Sequence, residues 1–193
     1  SFLYGIYYNG SMIKSLTNHN QGKNLALDLE NNTFLGVDLG FYEQLHHSNK
    51  GMGYFAPYWQ IIKEETDNTL VVTQGELKLH IEREIHLKES EKLAKVGDIV
   101  SIKLPKNLVQ NGFYMAVGNA GVYREQNLDQ PPETVRIYFN FTPTGAKEIM
   151  ASLTEKLNQI ELPFTFKVLY NPDDYDRYVA GVLYFDKSDY VIF

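Results

Sequence analysis

The sequence contains no cysteine, a single tryptophan and no long apolar run. The lack of cysteine excludes a disulfide framework, a thiolate metal site and a cysteine nucleophile. No stretch approaches the roughly 20 apolar residues that a membrane-spanning helix requires, so we expect no membrane partner. The formal net charge of −6 argues against nucleic acid as the main partner, because neutralising a phosphate backbone requires a basic surface. An anion bound by this protein should therefore be small or part of a peptide.

The length of 193 residues suits one large domain. We predict a single domain over residues 1–193, with residues 1–48 as an N-terminal part that is rich in Asn and Gly. The chain starts at Ser1, lacks the basic start of a signal peptide, and stops within a hydrophobic run that ends at Phe193. We expect it to be a trimmed piece of a longer protein, with the cytoplasm as its compartment.

Five runs in the second half of the chain alternate, or nearly alternate, between apolar side chains and cations or tyrosines. A period of two is typical of a strand, whose successive side chains point to opposite faces of a sheet. The runs are residues 99–104, 113–117, 135–141, 164–170 and 179–185. They predict one sheet with an apolar back and a polar front. The front would carry Lys103, Tyr114, Arg136, Tyr138 and Lys167. This bias towards cations and phenols predicts a site for a small anion, most simply a phosphate.

The clearest helix signal begins at Thr142, a good N-cap that precedes Pro143 at the first helical position. Apolar side chains follow at helical spacing, and Pro163 prevents the helix from continuing. Three further runs, residues 69–72, 76–81 and 85–87, predict hairpin strands. The predicted fold class is α+β, with a mostly antiparallel twisted sheet and helices packed on one face.

The cations of the predicted front are candidates for catalysis and phosphate binding. Lysine loses its proton readily when it is desolvated or lies beside other cations, so Lys167 or Lys103 next to Arg136 is a candidate general base. Arg177 follows a predicted turn, from which it could reach over the front and clamp a phosphate. Each of these cations could equally pair with a nearby acid or point into solvent.

The remaining motifs give weaker signals. His80 lies on a strand that could border the front, where it could act as a general acid or be an ordinary solvated or core histidine. The five histidines form no zinc pattern, and the acids at 173, 174 and 176 match no calcium loop, so we predict no metal. The sequence also lacks a serine nucleophile elbow and a dinucleotide or phosphate-binding glycine loop.

Several strings of residues carry a family resemblance. VGDIVSIKLP at 96–105, GFYMAVGNA at 112–120 and VRIYFN at 135–140 give its main part, with shorter strings at 142–146, 163–169, 177–178 and 182–185. A further string at 49–53 precedes Trp59. Together they resemble the HopA-type type III effector family over about residues 49–185, most specifically over 96–185.

The resemblance implies two kinds of function. Founding members of the family are bacterial effectors delivered into plant cells, where they act on immune signalling proteins. Many relatives are instead encoded beside a small kinase that phosphorylates Ser or Thr of a precursor peptide, and the HopA-like partner eliminates the phosphate to leave a dehydroamino acid. The second kind implies a phosphothreonine or phosphoserine lyase in the bacterial cytoplasm, with a partner kinase and without cofactor or metal. A true effector would be secreted into a host.

Elimination of phosphate suits the residues of the predicted front. The reaction needs a base for the Cα proton, cations that hold the phosphate, and preferably a proton donor for the leaving group. The implied site residues are Lys167, Lys103, Tyr114 and His80 for catalysis, and Arg136, Arg177 and Tyr138 for the phosphate. One alternative is a non-catalytic, effector-like module that interferes with or scaffolds a partner protein. A third reading is a hydrolase or transferase acting on a small phosphorylated metabolite.

Overall fold

The computed structural model describes residues 27–28, 33–34, 37–110, 112–122 and 133–192. Much of the predicted N-terminal part, residues 1–48, lies outside these ranges. The chain divides into two compact units, a discontinuous unit made of Ser1–Gly53 and Pro105–Phe193 and an inserted unit made of Tyr54–Leu104. That the two units act as a single domain stays a prediction.

The described part of the chain contains twelve strands, three α-helices and three short 3₁₀-helices. The strands are β1 (Leu27–Asp28), β2 (Thr33–Phe34), β3 (Val37–Asp38), β4 (Tyr54–Glu64), β5 (Thr69–Gln74), β6 (Leu77–Glu82), β7 (Ile99–Leu104), β8 (Asn107–Gln110), β9 (Phe113–Val117), β10 (Thr134–Phe139), β11 (Thr165–Leu169) and β12 (Gly181–Asp186). The helices are α1 (Leu39–Ser48), α2 (Arg83–His86) and α3 (Pro143–Gln159), and none of them is long and apolar enough to cross a membrane. All strand pairings among these elements are antiparallel, which confirms the α+β class.

The largest sheet has five strands and belongs to the discontinuous unit. Its order is β10-β12-β11-β9-β8, and a small sheet in the order β1-β2-β3 accompanies it. β10 and β11 are both antiparallel to β12, so they run in the same direction with β12 between them. α3 connects β10 to β11, as the strand-helix-strand pattern of the sequence predicted.

One face of the five-stranded sheet, here called the back, is covered by α1 and α3. Tyr42 and Leu45 of α1 and Met150 of α3 are fully buried in one core with Phe166 and other back residues. Burying side chains of this size stabilises the fold by about 1.5–3 kcal/mol each. The prediction that helices pack on one face of the sheet is therefore confirmed.

Both covering helices begin at capped positions. The side chain of Asp38 accepts a hydrogen bond from the amide of Phe41 at 2.8 Å at the start of α1. Thr142 accepts one from the amide of Gly145 at 3.2 Å, and Pro143 occupies the first turn of α3. Caps of this kind satisfy N–H groups that have no partner within the helix. The helix predicted after residue 142 is thus confirmed.

Gly181 lets an aromatic ring lie directly against the middle of the sheet. A Cβ atom at this position would lie 2.6 Å from Cζ of Phe141 and 3.1 Å from the carbonyl oxygen of Lys167. Such distances are far below van der Waals contact, so a larger residue at position 181 would displace the ring of Phe141. β12 can therefore pass between β10 and β11 under the apolar core only because its first residue has no side chain.

The inserted unit forms a separate four-stranded sheet in the order β6-β5-β4-β7. Residues 99–104 form a strand as predicted, but they pair with β4 and not with the other four runs, so the expectation of one sheet is wrong for this run. Alternation predicts that a segment is a strand but not which strand it pairs with. Here the partner is the long β4. The predicted hairpin of residues 69–72 and 76–81 is confirmed as β5 and β6. The strand predicted at 85–87 is wrong, because residues 83–86 form α2.

Candidate functional site

Strand register places two cations and a tyrosine on the face of the five-stranded sheet opposite the back, here called the front. Arg136 pairs with Tyr184, and Tyr138 and Lys167 both pair with Val182. Directly paired residues project to the same face, and so do residues two apart along one strand. Arg136, Tyr138 and Lys167 therefore share the front, as predicted. Phe113 joins them, because Leu169 of β11 pairs with it.

The ring of Tyr184 lies beside both cations. Cζ of Arg136 is 5.9 Å from its centroid, and Nζ of Lys167 is 5.3 Å from it. Nζ of Lys167 is also 4.6 Å from the centroid of Phe113, so this ammonium group lies near two aromatic rings. Each contact of this type contributes about 0.5–1 kcal/mol at an exposed site. The rings thus hold two positive charges close together over one part of the front.

These two cations are not neutralised within the described part of the chain. The ion pairs formed there involve other side chains, and no carboxylate pairs with Arg136 or Lys167. Arg136 is exposed, Lys167 is partly buried, and Tyr138 is 61% exposed. A ligand oxygen can therefore approach the guanidinium group without displacing an acid, which favours binding of an anion.

Tyr114 does not belong to the front, and this part of the prediction is wrong. It pairs with Val168, which lies on the back, and its side chain is fully buried. Its hydroxyl accepts a hydrogen bond from Nδ2 of Asn49 at 3.0 Å and lies 3.2 Å from Nδ1 of His46. Burial raises the pKa of the Tyr114 phenol well above its ordinary value, more than the hydrogen bond from Asn49 lowers it. The phenol is held as a structural group and cannot serve as proton donor on the front.

A lysine beside this buried phenol ties α1 to the start of β8. Nζ of Lys106 donates to the carbonyl oxygens of His46 at 2.9 Å and Asn49 at 2.8 Å, at the C-terminal end of α1. The carbonyl of Lys106 in turn accepts from Nδ2 of Asn49. Burial and the nearby charge of Lys50 lower the pKa of Lys106. Its contacts are those of a helix cap, since the last carbonyls of a helix have no partner within it.

Lys103 and His80 lie in the inserted unit, outside the five-stranded sheet. Lys103 lies on β7, where it pairs with Phe55 of β4, and His80 lies on β6, where it pairs with Val71 of β5. Both side chains are exposed. The sheet that carries Arg136 and Lys167 therefore contains neither of them, and their catalytic roles stay predictions.

Arg177 lies in the connection between β11 and β12. NH2 of its guanidinium is 3.6 Å from Oδ1 of Asp174, and the side chain is 59% exposed. It faces a carboxylate of its own loop in this structure, so its role as a phosphate clamp stays a prediction. No group of three or more His, Asp or Glu side chains in the described ranges is arranged to hold a metal ion.

Sequence reasoning did not select Tyr184 and Phe113 as site residues. Alternation along 179–185 does place Tyr184 opposite the apolar Leu183 and Phe185, so its side of the strand could have been inferred. Its position beside Arg136 depends on the register between β10 and β12, which no local pattern encodes. Residues 113–117 are apolar or aromatic throughout, so they give no signal that distinguishes Phe113 from Tyr114.

Comparison with known proteins gives a match to one family model. Residues 104–192 match the HopA1 effector protein family. The matched segment contains β8 to β12 and α3, and thus Arg136, Lys167 and Tyr184, whereas Lys103 and His80 precede it. The resemblance inferred from the sequence is confirmed over this range, and its extension to residues 49–103 stays a prediction. The chain matches none of the curated proteins with which it was compared.

Proposed function

Since residues 104–192 match the HopA1 effector protein family, we propose that the protein is a phosphothreonine or phosphoserine lyase that eliminates phosphate from a phosphorylated peptide. One observation carries the proposal: Arg136 and Lys167 flank the ring of Tyr184 on the front, with no carboxylate partner in the described ranges. Two cations on one face suit a dianionic phosphate ester better than a neutral ligand.

The reaction assigns a separate task to each front residue. Arg136 binds the phosphate oxygens, and Lys167, which must give up its ammonium proton to solvent before this step, takes the proton from Cα of the phosphorylated residue. The electrons of the Cα–H bond form the Cα=Cβ double bond, and those of the Cβ–O bond leave with the phosphate. Tyr138 shares the row of Lys167 on the front and supplies a proton to the departing oxygen. The products are dehydroalanine or dehydrobutyrine and inorganic phosphate.

The proposal favours Lys167 over Lys103 as the base. Lys167 lies on the same sheet face as the candidate phosphate ligand, whereas Lys103 belongs to the inserted unit and precedes the family match. A base must come within hydrogen-bond reach of the proton that it abstracts, so a shared face with Arg136 is the relevant criterion. The phosphorylated peptide would be supplied by a separate kinase.

The direct test is mass spectrometry of a phosphothreonine peptide incubated with the protein. We expect loss of phosphoric acid with formation of dehydrobutyrine. Arg136→Ala should lower kcat/KM by about 10²–10³-fold, and Lys167→Ala should lower kcat by about 10²–10⁴-fold. Lys103→Ala is the matched control, because it removes a lysine from a strand outside the five-stranded sheet.

Two outcomes would contradict the lyase. Threonine restored by hydrolysis would make the protein a phosphatase, with the same anion site and a different bond cleaved. A peptide that stays intact would favour a non-catalytic module that binds a partner protein through the front. Loss of activity in Lys103→Ala but not in Lys167→Ala would move the base to the inserted unit.

A further inference from the structure

The front ends at a strand with one free edge. β10 is the terminal strand of the five-stranded sheet, and β12 is its only partner among the described strands. A terminal strand presents a row of unpaired N–H and C=O groups that can pair with another chain. Arg136 and Tyr138 are on this strand, so its edge adjoins the candidate phosphate site.

The backbone groups that point outward belong to the residues whose side chains face the front. The amide of Lys187 donates to the carbonyl of Glu133 at 2.7 Å, which makes Glu133 and Lys187 a hydrogen-bonded pair. In an antiparallel ladder such pairs alternate with pairs that turn their backbone groups away from each other. The backbone groups of Thr134, Arg136 and Tyr138 are therefore directed away from β12, towards the free edge.

Within the described residues, the backbone of this edge is regular. β10 pairs with β12 over six consecutive residues without a bulge, and it contains no proline. In the inserted unit, by contrast, the edge strand β7 is partly covered, because its Ile102 makes a bridge to Leu87. Short length, bulges, prolines, coverage and charged side chains normally prevent strand addition, and β10 carries the last of these in Arg136, whose charge an acidic strand would neutralise.

We propose that β10 binds an extended acidic segment of the substrate peptide as an added antiparallel or parallel strand. The proposal rests on the lyase function, of which it specifies the substrate. Its warrant is charge complementarity: a residue opposite Arg136 projects to the same face at about 5 Å between Cβ atoms, where the guanidinium group, with its five N–H donors, can bind an Asp or Glu in addition to the phosphate. Pairing with a second copy is disfavoured, because an antiparallel copy would bring two Arg136 side chains together.

The spacing of the strands determines which part of the peptide is paired. A strand added to β10 lies three strand spacings, about 14 Å, from β11 and hence from the backbone of Lys167. That distance exceeds the reach of a lysine side chain. The paired segment must therefore flank the phosphorylated residue, which crosses the edge and lies over Tyr184. A favoured substrate has its acidic residues on one side of the phosphorylated residue.

The test uses the full chain and a peptide that cannot be eliminated. The peptide carries α-methylphosphoserine, which lacks a Cα proton, followed by alternating aspartate and threonine, and each backbone nitrogen of that flank is methylated in turn. Strand addition predicts a period of two: methyl groups at alternate positions weaken binding about tenfold, and those between them have little effect. Arg136→Glu should also weaken binding of the unphosphorylated form of this peptide about tenfold or more, with Lys78→Glu, at an exposed position of β6, as the control.

The possible results separate this proposal from the proposed function. If N-methylation weakens binding at every second position but the matching phosphoserine peptide is not turned over, strand addition is retained and the lyase is rejected. Turnover with a uniform response to N-methylation would retain the lyase and overturn strand addition. Tighter binding of a lysine flank than of the aspartate flank, or dimerisation in ultracentrifugation that Tyr138→Pro abolishes, would also overturn it.

Discussion

The two faces of the five-stranded sheet use the same residue type in opposite ways. Tyr114 on the back is fully buried, and its hydroxyl is fixed by Asn49 and His46. Tyr184 on the front is partly buried and lies beside two cations through its ring. Burial makes the first phenol part of the scaffold, while the second positions charge at a surface. The face to which a tyrosine side chain points thus decides whether it stabilises the core or lies at the candidate site.

A matched pair of substitutions on β11 gives the largest expected difference in stability loss between the back and the front. Phe166 and Lys167 are adjacent in sequence, and Phe166 is fully buried on the back. Phe166→Ala should lower the free energy of unfolding by about 3–5 kcal/mol, because it leaves a cavity in the core. Lys167→Ala should cost about 1 kcal/mol or less, since it loses only contacts with two rings. Urea denaturation of both variants measures this, and equal losses would contradict the assignment of the faces.

The two tyrosines provide the next comparison. Tyr114→Phe removes the acceptor of the Asn49 side chain in a buried site, and we expect a loss of about 1–2 kcal/mol. Tyr184→Phe retains the ring beside both cations and should leave stability unchanged within about 0.5 kcal/mol. The measurement is again the urea midpoint, and a larger effect at position 184 would show that its hydroxyl has a structural partner.

The buried phenol also predicts how stability depends on pH. In the unfolded chain a tyrosine releases its proton near pH 10, whereas burial raises the pKa of Tyr114 in the folded chain. Above about pH 10 the folded state binds more protons than the unfolded state, so the free energy of unfolding falls as pH rises. Tyr114→Phe should make this alkaline fall shallower. Some slope should remain, because burial also raises the pKa of Tyr42. An unchanged slope in the variant would contradict the assignment.

The smallest expected effect is at a carboxylate that the register places on the front. Oδ1 of Asp186 accepts hydrogen bonds from the amide and the hydroxyl of Ser188, at 2.8 and 2.6 Å, and these lower its pKa. A lowered folded pKa gives stability that is present above the ordinary value near 4 and is lost as pH falls below it. Asp186→Asn should therefore reduce stability slightly at neutral pH and not at pH 2. A thermal melt at both pH values measures the difference, and an equal loss at both would refute the charge-dependent account.

The sequence predicted seven of the described strands, β5 to β7 and β9 to β12, and the longest helix, because these depend on local patterns. Thr142, Pro143 and the helical spacing that follows are enough to predict α3. Alternation likewise located 99–104 within the chain. It could not show that 99–104 pairs with β4, because the choice of a neighbouring strand depends on contacts distant in sequence.

The candidate site was predictable only in part for the same reason. Arg136 and Lys167 are single charges in otherwise apolar strands, so their strands show a clear polar side. Residues 113–117 offer no such contrast, and the choice of Tyr114 for the front rests on its hydroxyl, which makes it the most polar member of a nearly alternating run. The structure satisfies that hydroxyl with Asn49 instead, which is how a buried tyrosine usually avoids an unpaired polar group.

The central position of β12 has a consequence for synthesis of the chain. β12 lies between β10 and β11, yet it is the last of the three to be made. Until it emerges from the ribosome, β10 and β11 have no strand between them, and a nascent chain ending near residue 180 would expose the inner edges of both. The same arrangement makes β12 a natural strand for split-protein complementation, in which a supplied peptide completes a fragment that lacks it.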